Sequence, residues 1–216
     1  MGVSYALRFE AANLAFLSER LRPGMTVFDV GANRGQMALF FSRGVGPTGG
    51  VVAFEPAPTP FRSLRRNVEL NGLRNVELRC VAVSDSAGTA HFHFDESAPT
   101  QGHLIDASSG RTGGACEVEM TTLDHVVATT GAAPDLIKID VEGAAAGVLR
   151  GARRLLETGA PALYLEMHGR AEQEAVRDLL LPLGFVAKTL DGRTVPDPTA
   201  GWFSPLWCYR PASAAQ

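Results

Sequence analysis

Apolar positions along this chain switch between two rhythms, and the switching predicts alternating helices and strands. Between residues 5 and 21 they recur at Leu7, Ala11, Leu14, Leu17 and Leu21, one face of an amphipathic helix. Thr26–Val30 is a short β-branched run, ended by the glycine-bearing stretch Gly31-Ala-Asn-Arg-Gly35. A helix is predicted through Met37–Ser42, a second strand over Gly50–Glu55, and a helical stripe at Phe61, Leu64 and Val68 that stops near Asn71-Gly72. Val76–Val83 reads as a third strand, with Ser84-Asp85 and Gly88 as turn material.

The middle of the chain breaks this rhythm. Thr89–Phe94 alternates like an exposed hairpin strand, with Phe92 and Phe94 on one face. Residues 95–115 are poor in large apolar groups and rich in Ser, Gly, Thr and Pro, which predicts a loop of active-site-lid character. Val118–Thr122 reads as strand, and Asp124 is placed to cap a short helix over 125–129. The alternation then resumes. Leu136–Val141 is nearly pure apolar, as the centre of a parallel sheet requires. Val148, Leu149, Ala152, Leu155 and Leu156 mark a helix, Ala162–Met167 a strand, and Ala175, Val176, Leu179 and Leu180 another helix. Phe185–Leu190 and Leu206–Arg210 are expected to close the sheet as antiparallel strands. The predicted class is α/β: a mostly parallel, doubly wound, Rossmann-like sheet of about seven strands with helices on both faces. One domain is expected over 1–216, with an N-terminal helix in 1–22 and a C-terminal loop and closing strand in 191–216.

Composition narrows the function classes. With 45% hydrophobic and 20% charged residues, the 216-residue chain can bury a core, which excludes a disordered class. A net charge of −3 supplies no basic field, so no nucleic-acid partner is expected. No apolar run approaches the roughly 20 residues of a membrane span, and no membrane partner is expected. Cys80, Cys116 and Cys208 are scattered and match no zinc spacing. Together with an N-terminus lacking a secretory pattern, they suggest reduced thiols in a cytoplasmic protein. Only Lys138 and Lys188 are lysines among 20 basic residues, which puts a rare cation inside a predicted central strand.

Ligands of doubly wound sheets bind beyond the carboxyl ends of the strands, where strand order reverses. There the first strand delivers Asp29, Gly31, Asn33 and Gly35, and the second ends at Glu55. Gly31 permits a tight turn, Gly35 would let the start of a helix approach a ligand, and Glu55 is placed to take both hydroxyls of a ribose. A dinucleotide turn needs a middle glycine where this chain has Asn33, and Asp29 would repel a pyrophosphate. The same acid suits the ammonium of an amino-acid-bearing nucleoside, which favours S-adenosylmethionine.

These stretches, VFDVGANRGQ at 27–36 and VVAFEPAPTPFRSLRRNVELNGLRNV at 51–76, together with AVSD at 82–85, TTLD at 121–124, LIKIDVEGA at 136–144 and LYLEMH at 163–168, resemble the FkbM family of class I S-adenosylmethionine-dependent methyltransferases. The resemblance implies that Asp29, Gly31, Asn33 and Gly35 line the methionine end of the cofactor. It also implies Glu55 at the ribose, Ala82 and Val83 beside the adenine, and Asp140 beside the sulfonium. The implied reaction is O-methylation of a hydroxyl on a small molecule such as a natural product or a sugar, as in natural-product biosynthesis. The chain departs from the family at Ala145, where the pattern usually continues Gly-Ala-Glu; the contact of that glutamate is lost or relocated here.

An aliphatic hydroxyl needs a general base or a metal to be methylated. Alternation puts Lys138, Asp140 and Glu142 on one side of their strand, and Glu166 and His168 on one side of the next. Asp140, Glu166 and His168 are therefore the expected catalytic group, with His168 taking the proton. Lys138 is expected to be held by Asp29 or Glu166 in a structural ion pair. A divalent cation is the less favoured addition, and no metal ligand is assigned. His103 in the predicted loop could reach the acceptor. Trp202, Phe203 and Trp207 could wall its pocket, although core packing is the favoured reading for the three. N-methylation and a catalytically silent cofactor-binding partner remain as alternatives. A short-chain nicotinamide oxidoreductase is set aside, because a Tyr-x-x-x-Lys pair would need tyrosine where Pro134 and Gly184 stand.

Overall fold

The computed structural model describes residues 3–95, 98–105 and 114–211, with side chains over 11–91 and 116–211. Its strands, in chain order, are β1 (Thr26–Val30), β2 (Gly50–Phe54), β3 (Val76–Arg79), β4 (Ala82–Val83), β5 (Gly88–Asp95) and β6 (Ala98–Ile105). They continue as β7 (Gly114–Thr121), β8 (Leu136–Asp140), β9 (Ala162–Glu166), β10 (Val186–Thr189) and β11 (Leu206–Tyr209). The helices are α1 (Val3–Ser18), α2 (Gln36–Val45), α3 (Pro58–Leu70), α4 (Leu123–Thr130), α5 (Ala145–Arg150), α6 (Arg153–Thr158) and α7 (Arg170–Ala175).

Seven strands form the main sheet in the order β10-β11-β9-β8-β1-β2-β3. β1 lies between parallel partners β2 and β8, and only β11 runs against its neighbours. The chain winds outward through β2 and β3, then returns to β8 on the other side of β1. The reversal of strand order therefore falls between β1 and β8, and the crevice opens at their carboxyl ends.

Each central strand is buried on both faces, so alternate residues serve different layers. Val27, Val51, Ala53, Leu136 and Tyr164 pack with Leu17 of α1, Ala38 and Phe41 of α2, and Leu64 and Val68 of α3. Phe28, Val30, Val52, Ile137, Ile139, Leu163 and Leu165 pack beneath α4 to α7. Leu17 is wholly buried, and Phe16 meets Trp207 edge to face at 5.4 Å, which fixes the end of α1 against β11.

Two expectations need correction. The predicted third strand breaks at Cys80-Val81: β3 belongs to the main sheet, whereas β4 pairs with β7. The stretch over 95–115 is not one long loop. β5, β6 and β7 join β4 in a second sheet of order β4-β7-β5-β6, in which β5 runs antiparallel to both β6 and β7. Ladder hydrogen bonds are made by the backbone, so Gly- and Thr-rich segments can pair without the apolar alternation that would advertise them. Residues 106–113 of the expected lid lie outside the described residues, and His103 lies outside those whose side chains are described.

Candidate active site

Two rows of residues cross the middle of the main sheet. In the deeper row, Asp29 of β1 is the register partner of Lys138 of β8, and Lys138 that of Tyr164 of β9. Two residues further along, at the strand ends, Asp140 is the register partner of Glu166. Gly31 and Glu55 directly follow β1 and β2. Period-two alternation puts both rows on the same side of the sheet.

The deeper row is electrostatic scaffolding. Asp29 is wholly buried and Lys138 is 3% exposed. The Lys138 ammonium donates to the Gly31 carbonyl at 2.8 Å and lies 3.3 Å from Asp29 Oδ1 and 3.5 Å from Asp140 Oδ2. One hydrogen bond and two ion-pair contacts thus surround a single ammonium. Burial alone would push Lys138 toward its neutral form, but the carboxylates of Asp29 and Asp140 outweigh it and hold its pKa above the ordinary lysine value. The cation that Asp29 faces in the structure is Lys138.

The turn after β1 is pinned from three sides. Gly31 has φ +79°, and a Cβ there would stand 2.0 Å from the Asp140 carbonyl oxygen, so the two strand ends cross with no room for a side chain. Gly35 has φ +91°, and its Cβ would strike Leu64 Cδ1 at 2.5 Å. The packing of α2 on α3 therefore requires a glycine there. Glu55, 6% exposed, accepts the Asn33 N–H on Oε2 and the Ala57 N–H on Oε1, both at 2.8 Å. Its carboxylate therefore staples the turn after β1 to the turn after β2. Burial raises its pKa in spite of those two donors.

At the strand ends His168 is clamped. Its Nε2 is 3.0 Å from Asp140 Oδ1, and its Nδ1 is 3.5 Å from Glu142 Oε2. The hydrogen bond to Asp140 lifts its pKa to about 9 against the effect of burial, with Glu142 adding to the rise. Asp140 would be raised by burial, but the hydrogen bond to His168 and the charge of Lys138 hold it below the usual carboxylate range. Glu166 is shifted the other way, upward, by burial and then by the charge of Asp140, while the Tyr164 hydroxyl donates to its Oε1 at 3.3 Å. The contact with Asp140 thus favours the protonated form of His168, which weakens it as a base, whereas the upward shift of Glu166 strengthens that carboxylate as one.

Other expected residues separate. Ala82 and Val83 are 3% and 5% exposed, with side chains inside apolar clusters, so their side chains do not front a ligand. Trp207 packs on Phe16, and Phe203 packs against the main core with the Arg193 guanidinium 5.4 Å above its ring. Trp202 is 62% exposed, in a segment tied to the β9–α7 corner by the Met167 N–H donating to Ser204 Oγ at 2.9 Å. Glu172 escaped sequence reading: it is 1% exposed and accepts backbone N–H groups from both corners that carry the catalytic candidates. The signal for it was a capping spacing, Gly169 followed three residues later by glutamate. Among the described residues no three His, Cys, Asp or Glu side chains converge as a metal site.

The donor set fits S-adenosylmethionine. What faces the crevice is acceptor-rich: Glu55 retains lone pairs for hydroxyl donors, and Asp140, Glu142 and Glu166 suit a sulfonium and an ammonium while repelling a phosphate.

Comparison with known proteins agrees in kind. The family model for the methyltransferase FkbM domain matches residues 29–187. The 31-O-demethyl-FK506 methyltransferase FkbM of Streptomyces tacrolimicus is 36% identical over 159 residues, covering 61% of this chain and 60% of that protein. The methyltransferase sdnD of Sordaria araneosa is 31% identical over 154 residues, covering 58% and 59%. The chain thus spans about three-fifths of the length of these curated relatives. A crystal structure of methyltransferase FkbM from Methylobacillus flagellatus shares the fold, with a TM-score of 0.58 at 16% identity, covering 87% of this chain and 44% of that one.

Proposed function

The chain belongs to the FkbM family of methyltransferases, and on that premise we propose that it transfers a methyl group from S-adenosylmethionine to a hydroxyl of a small molecule. One observation carries this reading: Glu55 and Asp140 flank the β1/β8 crossing, and beside Asp140 stands Glu166, a carboxylate whose pKa is raised.

When bound, the donor supplies a methyl already activated by its sulfonium. Glu55, fixed by two backbone donors, takes the ribose hydroxyls. Asp140 stays ionised and places negative charge beside the sulfonium. Glu166 accepts the proton from the acceptor hydroxyl as its oxygen attacks, because a carboxylate with a raised pKa is the better base of the pair. His168 holds Asp140 in place, and Trp202 supplies an exposed apolar wall for the acceptor. The name of the Streptomyces tacrolimicus relative supports an oxygen acceptor on a small molecule.

The first test is calorimetric. S-adenosylmethionine or S-adenosylhomocysteine should bind in the micromolar range, much more weakly to Glu55→Ala, and absence of heat with the wild type would sink the assignment. A screen with radiolabelled methyl donor across alcohols, phenols, sugars and amines then finds the acceptor. Glu166→Gln should bind the donor normally and lose turnover. Label entering amines alone would move the reaction from oxygen to nitrogen.

A further inference from the structure

Asp140 ends β8, but Glu142 and His168 lie on the corners beyond the strands, one after β8 and one after β9, where the strand ladders no longer fix the chain. One buried side chain joins the two. Glu172, in the first turn of α7, accepts the Ala145 N–H on Oε1 at 3.2 Å, at the start of α5. Its Oε2 accepts the Gly169 N–H at 3.0 Å and also the His168 N–H. Glu172 is 1% exposed, so its carboxylate has given up water for these three backbone donors, two of which, from Ala145 and Gly169, would otherwise be orphans at a helix start.

We propose that Glu172 is a positioning residue, whose carboxylate locks the β8–α5 corner to the β9–α7 corner and so sets the contact between His168 and Asp140. The inference rests on the reading of Asp140 as the carboxylate beside the methyl donor, but the contact it concerns belongs to this chain alone. The α5 start has no side-chain cap of its own: Ala144 and Ala145 carry no acceptor, and Glu172 supplies it from another helix. The β9–α7 corner is in turn anchored outward by Gln173, which donates to the Gly201 carbonyl at 2.8 Å. With Glu172 in place, the imidazole and the Asp140 carboxylate meet at 3.0 Å.

The test separates reach from charge. Glu172→Asp keeps the charge and shortens the side chain by one methylene; Glu172→Gln keeps the length and loses the charge. The imidazole of His168 is followed by NMR through a pH titration of the full-length protein, assigned with His168→Gln. In the wild type it should titrate near the value of about 9 set by its contact with Asp140. Among the described residues Asp140, Glu142, Glu166 and Glu172 are the charged groups around it, with Lys138 on the far oxygen of Asp140, and all but Glu172 are unchanged in both variants. Positioning predicts that both variants fall by one unit or more, toward 6.5, together with faster hydrogen exchange at the amides of Ala145, His168 and Gly169. A fall in Glu172→Gln with no change in Glu172→Asp would overturn it, since the effect would be charge alone. An unchanged titration in both would overturn it as well. Leu180→Ala, a buried change outside the site, serves as the stability control and should leave the titration where it is. Calorimetry with S-adenosylhomocysteine runs in parallel. Failure of the wild type to bind it counts against the proposed function, while the imidazole titration still decides the role of Glu172.

Discussion

Lys138 shows what a single residue in the wrong-looking place can do. A lysine in a central strand should be costly, yet its ammonium ties Asp29, the Gly31 carbonyl and Asp140 together where strand order reverses. Removing one partner strands the others, so Lys138→Met is expected to cost about 3–5 kcal/mol in urea unfolding. Asp29→Leu added to it should recover most of that loss; a double variant no better than the single would mean the pair is not what Lys138 serves. His168 and Asp140 make a second prediction. His168 has its folded pKa raised from 6.5 to about 9, so its contribution is fully present below pH 6.5 and is lost as pH rises through 9. Asp140 is lowered, so the same contact weakens again in acid as the carboxylate becomes protonated. Thermal unfolding of the wild type should therefore fall between pH 6.5 and 9, and His168→Gln should flatten that slope. Position and type of these residues were readable from two-residue alternation. Their protonation was not, because a pKa depends on what crosses from neighbouring strands.

At the scale of elements, the motif TTLD at 121–124 turns out to work on two helices. Thr122, not Asp124, caps α4, its Oγ1 accepting the His125 N–H at 3.0 Å. Asp124 instead reaches α6, where Oδ2 and Oδ1 accept the N–H groups of Arg154 and Leu155 at 2.9 and 2.8 Å. Sequence reasoning found the capping residue and gave it to the wrong helix, since a cap supplied across space leaves no local spacing to read. Asp124→Ala should lower stability by about 1–2 kcal/mol, measured by urea unfolding, with donor binding unchanged. Loss of donor binding would instead make the motif part of the site. The pairing of the second sheet was missed for a related reason: β6 is held to β5 by its ladder, and its sequence carries no apolar alternation to read.

At the scale of the molecule, the site belongs to the crossing between β1 and β8, so a ligand seated there should stabilise the fold as a whole. At one hundred times its dissociation constant, S-adenosylhomocysteine should add about 2.7 kcal/mol, a rise in Tm of about 5–10 °C for a chain of this size. The rise should be lost in Glu55→Ala, and a ligand-independent Tm in the wild type would contradict the proposed site. None of the described helices is long and apolar enough to cross a membrane.

The sequence by itself determined the alternation of strands and helices, the parallel core, the glycine turn, and the carboxylates at the strand ends, because hydrophobic period and turn chemistry are local properties of the chain. It also carried enough motif to place the chain in its family. Only the tertiary structure decided which partners those residues have. Asp29 belongs to Lys138, Gly35 to Leu64, Asp124 to α6, and Glu172 to the two corners that hold His168 and Asp140. These pairings join residues distant along the chain, and desolvation and charge act through space. For that reason the sequence narrows the candidate base to a cluster, and the proposal of Glu166 over His168 rests on the charges the fold brings around each.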